Sequence, residues 1–325
     1  NLRVALALRA AHPMLDHAVR RVRRHPARAF LTIVTLGLGL GATTAIVSAI
    51  HGVLLAPLPY PHPEQLVMVR EMDDSNSDTV GFATFDEWRR AAKSFASMTA
   101  VATRSYTLMG GAEPEQLALL GVTHEAFETF GVRPLLGREF TPRDDLRGAA
   151  RVVVLSHELW TRRYGGDPSI LGRTLRMSDT EFEVIGVMPP RMRMIDSEWR
   201  GERIDAWVPL RYNTTLEYAC RTCRHLRAFG RLRNGVTLDQ ASREVEQLTA
   251  AMRRAYPREY PERGWTAVQS LQEIVVGRSV ASSLWIILAL AAVVLIAAIA
   301  NAGSLRVSEL FVRQNEIVVG QALGA

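Results

Sequence analysis

The chain of 325 residues carries 39 Lys and Arg against 33 Asp and Glu, with 48% apolar residues and only two cysteines. Its net charge of +6 resides in residues 1–28, where Arg3, Arg9, Arg20, Arg21, Arg23, Arg24 and Arg28 face a single acid, Asp16. The middle of the chain is balanced, which argues against a basic nucleic-acid face. The sole lysine, Lys93, follows Ala91 and Ala92, so a GxxxxGK phosphate loop is excluded.

Residues 1–28 therefore read as a basic cytoplasmic tail, whose arginines can also meet anionic lipid. Ala29 to Ile50 and Ser279 to Leu305 lack any charged residue, and each is long enough to cross a hydrocarbon core of about 30 Å. Transmembrane helices are expected at 29–51 and 279–303. The tail is retained inside, which places 52–278 outside and 304–325 inside again. The first apolar run of 22 residues exceeds the roughly 7–15 of a signal peptide core and has no clean cleavage site, so it reads as an anchor. Gly37 and Gly41 stand in GxxxG spacing with Gly39 between them, a pattern that lets another helix approach closely in lipid.

The outer segment reads as α+β. Gln65 to Arg70 is a predicted strand. Thr84-Phe85-Asp86-Glu87 resembles a capping box that opens a helix with Phe85, Trp88, Ala92 and Phe95 on one face. Ala100 to Met109 and Gln116 to Val122 follow as strands, and Thr123 is the expected N-cap of a short helix holding Phe127 and Phe130. The Pro, Arg and Gly-rich stretch from Gly131 to Ala150 marks a change of composition. Short strands come next at Arg151 to Leu155, Arg173 to Met177, Glu181 to Val187 and Asp205 to Leu210, with a hairpin at Ser178-Asp179-Thr180. Leu226 to Arg231 is again a strand, and Thr237-Leu238-Asp239-Gln240 is a second capping box. Leu238, Ala241, Val245, Leu248 and Met252 hold helical spacing behind it, and Trp265 to Leu271 closes the domain as a strand. Strand-helix-strand material on both sides of a β-rich stretch predicts a ferredoxin-like porter lobe, about 60–141 and 213–275, interrupted by an inserted β-rich lobe at 142–212.

No catalytic constellation emerges, and no cofactor or metal site is expected. His157-Glu158 begins like a zinc-protease helix, but residue 161 is Thr rather than His. His124, His225 and the pairs Asp73/Asp74 and Asp144/Asp145 read as solvated surface. Cys220 and Cys223 form a C-x-x-C that is expected to be oxidised outside the cytoplasm. A structural clip, idle thiols and a redox pair are its readings, in that order. With His225 the set still falls short of a structural zinc site.

Several long runs carry a resemblance. Arg24-His25-Pro26 followed by residues 31–67 is similar to the first span of the MacB/FtsX-type ABC transporter permeases, specifically the acidobacterial duplicated orphan permeases. FGVRPLLGREFTPRDD (130–145), RVVVLSHELWTRRYGGDPSILGRTLRM (151–177), VIGVMPP (184–190), WVPL (207–210) and GRLRNGVTLDQA (230–241) resemble the MacB-like periplasmic core domain. The resemblance implies a permease of the bacterial inner membrane with four spans per unit, of which two are present here. The chain would then be a fragment of a larger permease or a truncated relative.

The stretch from Glu316 to Ala325 resembles the family's cytoplasmic segment before its third span, which implies a coupling helix against a separate ABC ATPase that binds the ATP. Leu310, Phe311, Arg313, Glu316, Ile317 and Gly320 are the coupling candidates. Asn315 and Gly320 depart from the arginines usual there. The implied partners are that ATPase, a second permease chain or half, and a periplasmic adaptor or substrate protein. The work is mechanical transmission for export or efflux, with no covalent chemistry in this chain. The rival reading is a two-span receptor with an outer ligand-binding domain. Such a receptor continues into a sustained heptad or signalling domain, and VSELFVRQNEIVVGQALGA shows neither.

Overall fold

The computed structural model describes residues 26–52, 58–73, 79–110, 114–190, 203–212, 219–260, 264–277, 282–300 and residue 303. In chain order the first elements are α1 (Pro26–Ile50), β1 (Leu66–Asp73), α2 (Phe82–Ala91), β2 (Phe95–Leu108), β3 (Glu115–Val122), α3 (Ala126–Phe130) and β4 (Leu136–Gly137). Then come β5 (Val152–Leu155), α4 (His157–Tyr164), β6 (Thr174–Met177), β7 (Thr180–Val187) and β8 (Ala206–Pro209). The last are β9 (Arg227–Leu232), α5 (Leu238–Ala255), β10 (Gly264–Ser270), α6 (Leu271–Val276) and an apolar helix, α7 (Ser282–Ala300). Two compact units result: Pro57–Gly277, and the flanking segments.

In the flanking unit, α1 has 25 residues and α7 has 19, about 37 and 28 Å of helix. Both are long and apolar enough to cross a membrane, and Phe30, Leu38, Ile286 and Val293 are exposed along them. Where the two helices touch, a Cβ added to Gly39 would lie 3.2 Å from Leu295 Cδ1 and 3.4 Å from its Cα. Ala291 and Ala298, on the same stripe of α7 as Leu295, are buried. Small residues thus set the distance of closest approach.

The outer unit is built on one ten-stranded sheet in the order β10-β1-β9-β2-β3-β8-β5-β7-β4, with β6 pairing β2 and β7. The first four strands are antiparallel neighbours. Counted within that lobe they read 4-1-3-2, the split βαβ arrangement of a ferredoxin-like fold. Alternation along β1 sends Val67 and Val69 to the face under α2 and α5, where Phe85, Trp88, Val245 and Met252 are buried. Leu66 and Met68 point to the other face, with Phe127, Phe130 and Phe229. Polar groups in the helix layer are bonded: Trp88 Nε1 donates to Thr249 Oγ1 at 2.9 Å, and the Thr84 and Tyr260 hydroxyls lie 2.9 Å apart.

The inserted strands form a ring. β3 pairs the far half of β2, and β8, β5, β7 and β6 follow in turn. Leu108↔Met177 then brings β6 back to β2. Leu117, Leu119, Val153, Leu155, Trp160, Met177 and Val184 belong to its core. β5, with Val152, Val153, Val154 and Leu155 all buried, is covered on both faces, which is why its sequence does not alternate. The expected border at residue 142 therefore moves. β3 belongs to the ring and β4 pairs its β7, so the inserted hydrogen bonding begins directly after β2.

Several local expectations are corrected. Helix α2 starts at Phe82 behind the N-cap Gly81, so Thr84 sits inside the helix and its hydroxyl is taken by Tyr260. Phe95 opens β2 rather than ending that helix, because Ala92 is extended. Thr123 does not cap α3. Its hydroxyl lies 2.9 Å from that of Thr99 and accepts the Ala100 N–H, while Glu125 takes the N-cap position. His157 opens α4 behind Ser156, whose Oγ accepts the Leu159 N–H, and Leu271 begins α6 instead of closing β10. The Thr237–Gln240 capping box is present with both of its bonds.

Asp144 and Asp145 are not solvated surface either. Asp144 accepts Arg138 Nη1 at 2.6 Å and Thr141 Oγ1 at 2.7 Å, and Asp145 accepts the backbone N–H groups of His124 and Arg211. Burial pushes the Asp144 carboxyl up, but the bonds from Arg138 and Thr141 outweigh it and hold the pKa at about 2 against an ordinary 3.8. A depressed carboxylate stabilises the fold above its unfolded pKa, and that stability fades as pH falls through the folded value. We expect Asp144→Asn to lower the unfolding midpoint of the full chain at pH 5, with the gap to wild type closing between pH 4 and pH 2. Thermal melts across that window check it, and a gap independent of pH would contradict the assignment.

Candidate functional site

Leu58 and Gly277 are the first and last described residues of the Pro57–Gly277 unit. Its two ends share one apolar cluster. Leu58 and Tyr60 on the arriving strap and Leu271 and Ile274 on α6 are buried together with Leu66, Met68, Phe130 and Phe229. Aromatic rings continue inward from the strap, with Tyr60 to Phe130 at 5.4 Å and Phe130 to Phe229, on β9, at 5.7 Å. Such pairs add roughly 0.5–1.5 kcal/mol beyond their buried area.

Arg231 on β9 fastens the strap. Its Nε donates to the Thr129 carbonyl at 2.8 Å, and its Nη1 to the carbonyls of Pro61 at 3.0 Å and His62 at 3.3 Å. The guanidinium fork suits this task because its donors are fixed in one plane and can meet several acceptors at once. Burial depresses the Arg231 pKa, with Glu64 acting against that shift. His62 is held at φ 49, a left-handed conformation costly for a residue with a Cβ, and it turns the strap into the short 3-10 segment Pro63–Gln65. Sequence reasoning missed this residue, since Arg231 ends a predicted strand and reads as its polar rim. Its burial depends on the strap returning from 170 residues earlier in the chain.

The C-x-x-C is a second fastening. Cys220 and Cys223 are bonded to each other with their Cα atoms 5.2 Å apart. The intervening Arg221 donates Nη2 to Glu87 Oε2 at 2.8 Å and stacks over Tyr256 at 4.1 Å. Burial lowers its pKa, but Glu87 and Tyr260 outweigh that and raise it overall. Arg224, next in the loop, meets the buried Glu71 at 2.9 Å. The clip lies directly on Gly81: a Cβ there would stand 2.3 Å from the Arg221 carbonyl oxygen and 2.5 Å from that of Cys220. Only glycine allows so close an approach. His225 is engaged elsewhere, its Nδ1 2.7 Å from the Cys223 carbonyl oxygen and its Nε2 2.9 Å from the Tyr212 hydroxyl.

Of the other residues singled out from the sequence, Gly39 packs against Leu295, whereas Gly37 and Gly41 face open space. The helix contact found here thus runs along Gly39 and leaves the GxxxG edge uncovered. Leu310, Phe311, Arg313, Glu316, Ile317 and Gly320 lie outside the described residues, as does Asp74. His157 and Thr161 share one helical turn, and the Thr161 hydroxyl donates to the His157 carbonyl at 2.8 Å.

The MacB-like periplasmic core domain matches residues 29–248. The chain belongs to this family, that of the MacB/FtsX-type ABC transporter permeases. A domain of a protein described as a permease from Porphyromonas gingivalis superposes with a TM-score of 0.50 at 14% identity, over 66% of this chain and 92% of that one, which shows a shared fold. The periplasmic region of MacB from Actinobacillus actinomycetemcomitans gives 0.48 at 16% identity, over 71% and 95%. The extracellular domain of the noncanonic ABC-type transporter YknZ from Gram-positive bacteria gives 0.46 at 17%, over 63% and 99%. Among curated proteins none matches. The chain is a membrane protein with an extracytoplasmic α+β segment, a component of an ABC-type permease.

Two outcomes test the fastenings. Arg231→Met should lower the stability of the full chain by about 2 kcal/mol, since three carbonyls lose a charged donor, and Arg231→Lys should recover less than half because one ammonium cannot span them. Urea unfolding measures both, and wild-type stability in the Met variant would show that the strap is held by other means. Alkylation of the native chain should leave Cys220 and Cys223 unmodified until a reductant is added, as read by intact mass.

Proposed function

We propose that the chain is the transmission part of an ABC-type permease. A separate ATPase in the cytoplasm supplies the free energy, the two membrane helices carry the motion, and the outer domain applies it to a substrate or adaptor outside. The observation that supports this most is the shared anchorage of Leu58, Tyr60, Leu271 and Ile274 in one core cluster. Two helices that shear or tilt against each other would load a single stiff cluster and pass its displacement into β1, β9 and β10 together. A receptor that only binds ligand has no need of such a joint.

In this reading the protein is a multi-pass protein of the bacterial inner membrane. Residues 52–278 lie in the periplasm, and the basic tail and residues 304–325 lie in the cytoplasm. A second permease chain or half completes the assembly. ATP is bound by the partner, and this chain carries no cofactor of its own. Leu310, Phe311, Arg313, Glu316, Ile317 and Gly320 form the surface that meets the ATPase.

Coupling is the testable step. Glu316→Arg and Ile317→Asp, combined in the full-length permease, should abolish its co-purification with the ATPase and the stimulation of ATP hydrolysis. A reversed charge and a buried carboxylate at an interface together cost several kcal/mol. Thermal unfolding of the outer domain should be unchanged. Wild-type stimulation by the double variant would sink the coupling role.

A further inference from the structure

Besides the joint, the outer unit holds a basic cleft of about 280 Å³ at the junction of β2 with the inserted ring. Arg104 and Tyr106 reach it from alternate positions of β2, Arg151 from the start of β5, Phe182 from β7, and Arg211 and Tyr212 from the end of β8. Three guanidinium groups and three aromatic rings therefore converge, and among the described residues no carboxylate side chain lines the space.

The arginines have donors left over. Arg104 gives Nη2 to the Tyr212 hydroxyl at 2.6 Å and stacks 5.7 Å over that ring, while its Nε and Nη1 meet no acceptor among the described residues. Arg151 is exposed, stands 6.0 Å over the Phe182 ring, and donates no side-chain hydrogen bond within the described protein. Arg211 uses Nε and Nη2 on the carbonyls of Asp144, Ala149 and Ala150, which leaves Nη1. None of the three forms an ion pair among the described residues. The nearby carboxylates are occupied, Asp144 by Arg138 and Thr141 and Asp145 by backbone N–H groups.

Backbone strain is stored at the same place. Arg211 lies at φ 58, where an L-residue costs roughly 1 kcal/mol or more, and is pinned there by its own N–H on Asp145 Oδ1 at 2.6 Å. Arg151 beside it adds like-charge repulsion, against which the Phe182 stack is the favourable contact. The Arg211 pKa is lowered by burial first and by Arg151 second. A bound oxyanion relieves that repulsion and fills the vacant donors with short charge-assisted bonds. Tyr106 and Phe182, edge-on at 5.5 Å, supply an apolar wall for the rest of the ligand.

We infer that this cleft, lined by Arg104, Arg151 and Arg211 against Tyr106, Phe182 and Tyr212, is a binding site for a small organic oxyanion, a carboxylate or phosphate carried on an aromatic or short apolar body. The volume admits a group of that size and no folded segment.

The test uses the full chain in a non-ionic detergent and isothermal titration at low salt. Phenyl phosphate should bind saturably at one site per chain with a Kd below about 1 mM. Inorganic phosphate should compete more weakly, and benzyl alcohol should not bind. Benzoate titrated in parallel separates carboxylate from phosphate preference. Arg104→Gln and Arg151→Gln should each weaken phenyl phosphate roughly tenfold, as expected when one charge-assisted contact is lost, and the unfolding midpoint of the ligand-free chain should be unchanged in Arg151→Gln, whose side chain donates no hydrogen bond within the described protein. Arg211 is left intact because it also fastens the loop at 144–150. Absence of saturable binding to the wild-type chain, equal binding of benzyl alcohol, or wild-type affinity in the variant lacking both Arg104 and Arg151 would each overturn the inference.

Discussion

The fourteen residues of β2 belong to two hydrogen-bonding systems at once, and the rest of the outer domain depends on that sharing. From Phe95 to Val101 the strand pairs with β9 and completes the ferredoxin-like order. From Val101 to Leu108 it pairs with β3 and opens the inserted ring. Because a strand is continuous and its ladder bonds are stiff along their length, the two lobes cannot rotate freely about a linker. They share a rail. Leu108↔Met177 ties the end of that rail to the last strand of the ring, so even the far end of β2 is not a free edge.

A rigid outer body is of use only if motion enters it cleanly. Loose segments at Leu58 and Gly277 would absorb displacement before it reached the sheet. Instead Leu58, and Leu271 and Ile274 shortly before Gly277, are buried in the same cluster as Phe130 and Phe229, and Arg231 closes the strap with bonds to main-chain carbonyls, which cannot swing away as side chains do. The clip at Cys220 and Cys223 acts in the same sense on the opposite layer, where it locks Arg221 against α2 and the end of α5. In the proposed function, membrane motion, stiff joint and shared rail would form one mechanical series.

Charge is distributed in keeping with that plan. The surplus lies in residues 1–28, while inside the domain several arginines are fasteners: Arg138 on Asp144, Arg224 on Glu71, Arg231 on carbonyls. Arg104 and Arg151 stand apart because their donors converge on open space. The arginine-rich, lysine-poor composition suits both uses, since a planar fork holds several acceptors in a fixed geometry and a lysine does not.

The sequence by itself determined what local chemistry can specify. Charge-free runs marked the two long apolar helices, alternation placed most strands within a residue or two, and the Thr237 and Gln240 pair announced the longest outer helix, because its two bonds form between residues three apart. The runs shared with the permease family pointed to the fold class. Tertiary structure alone decided which hydroxyls cap and which bond across layers: Thr84 and Thr123 carry the right chemistry for caps, yet their partners Tyr260 and Thr99 come from other elements. It also moved β3 and β4 into the ring, buried Asp144, recruited Arg231 from 170 residues away and gathered Arg104 from within β2 with Arg151 and Arg211 from the ends of β5 and β8. The physical reason is the same in each case. A period or a cap is written within one turn or one strand, whereas a cross-sheet neighbour is set by strand order, which depends on how the whole sheet buries its two faces.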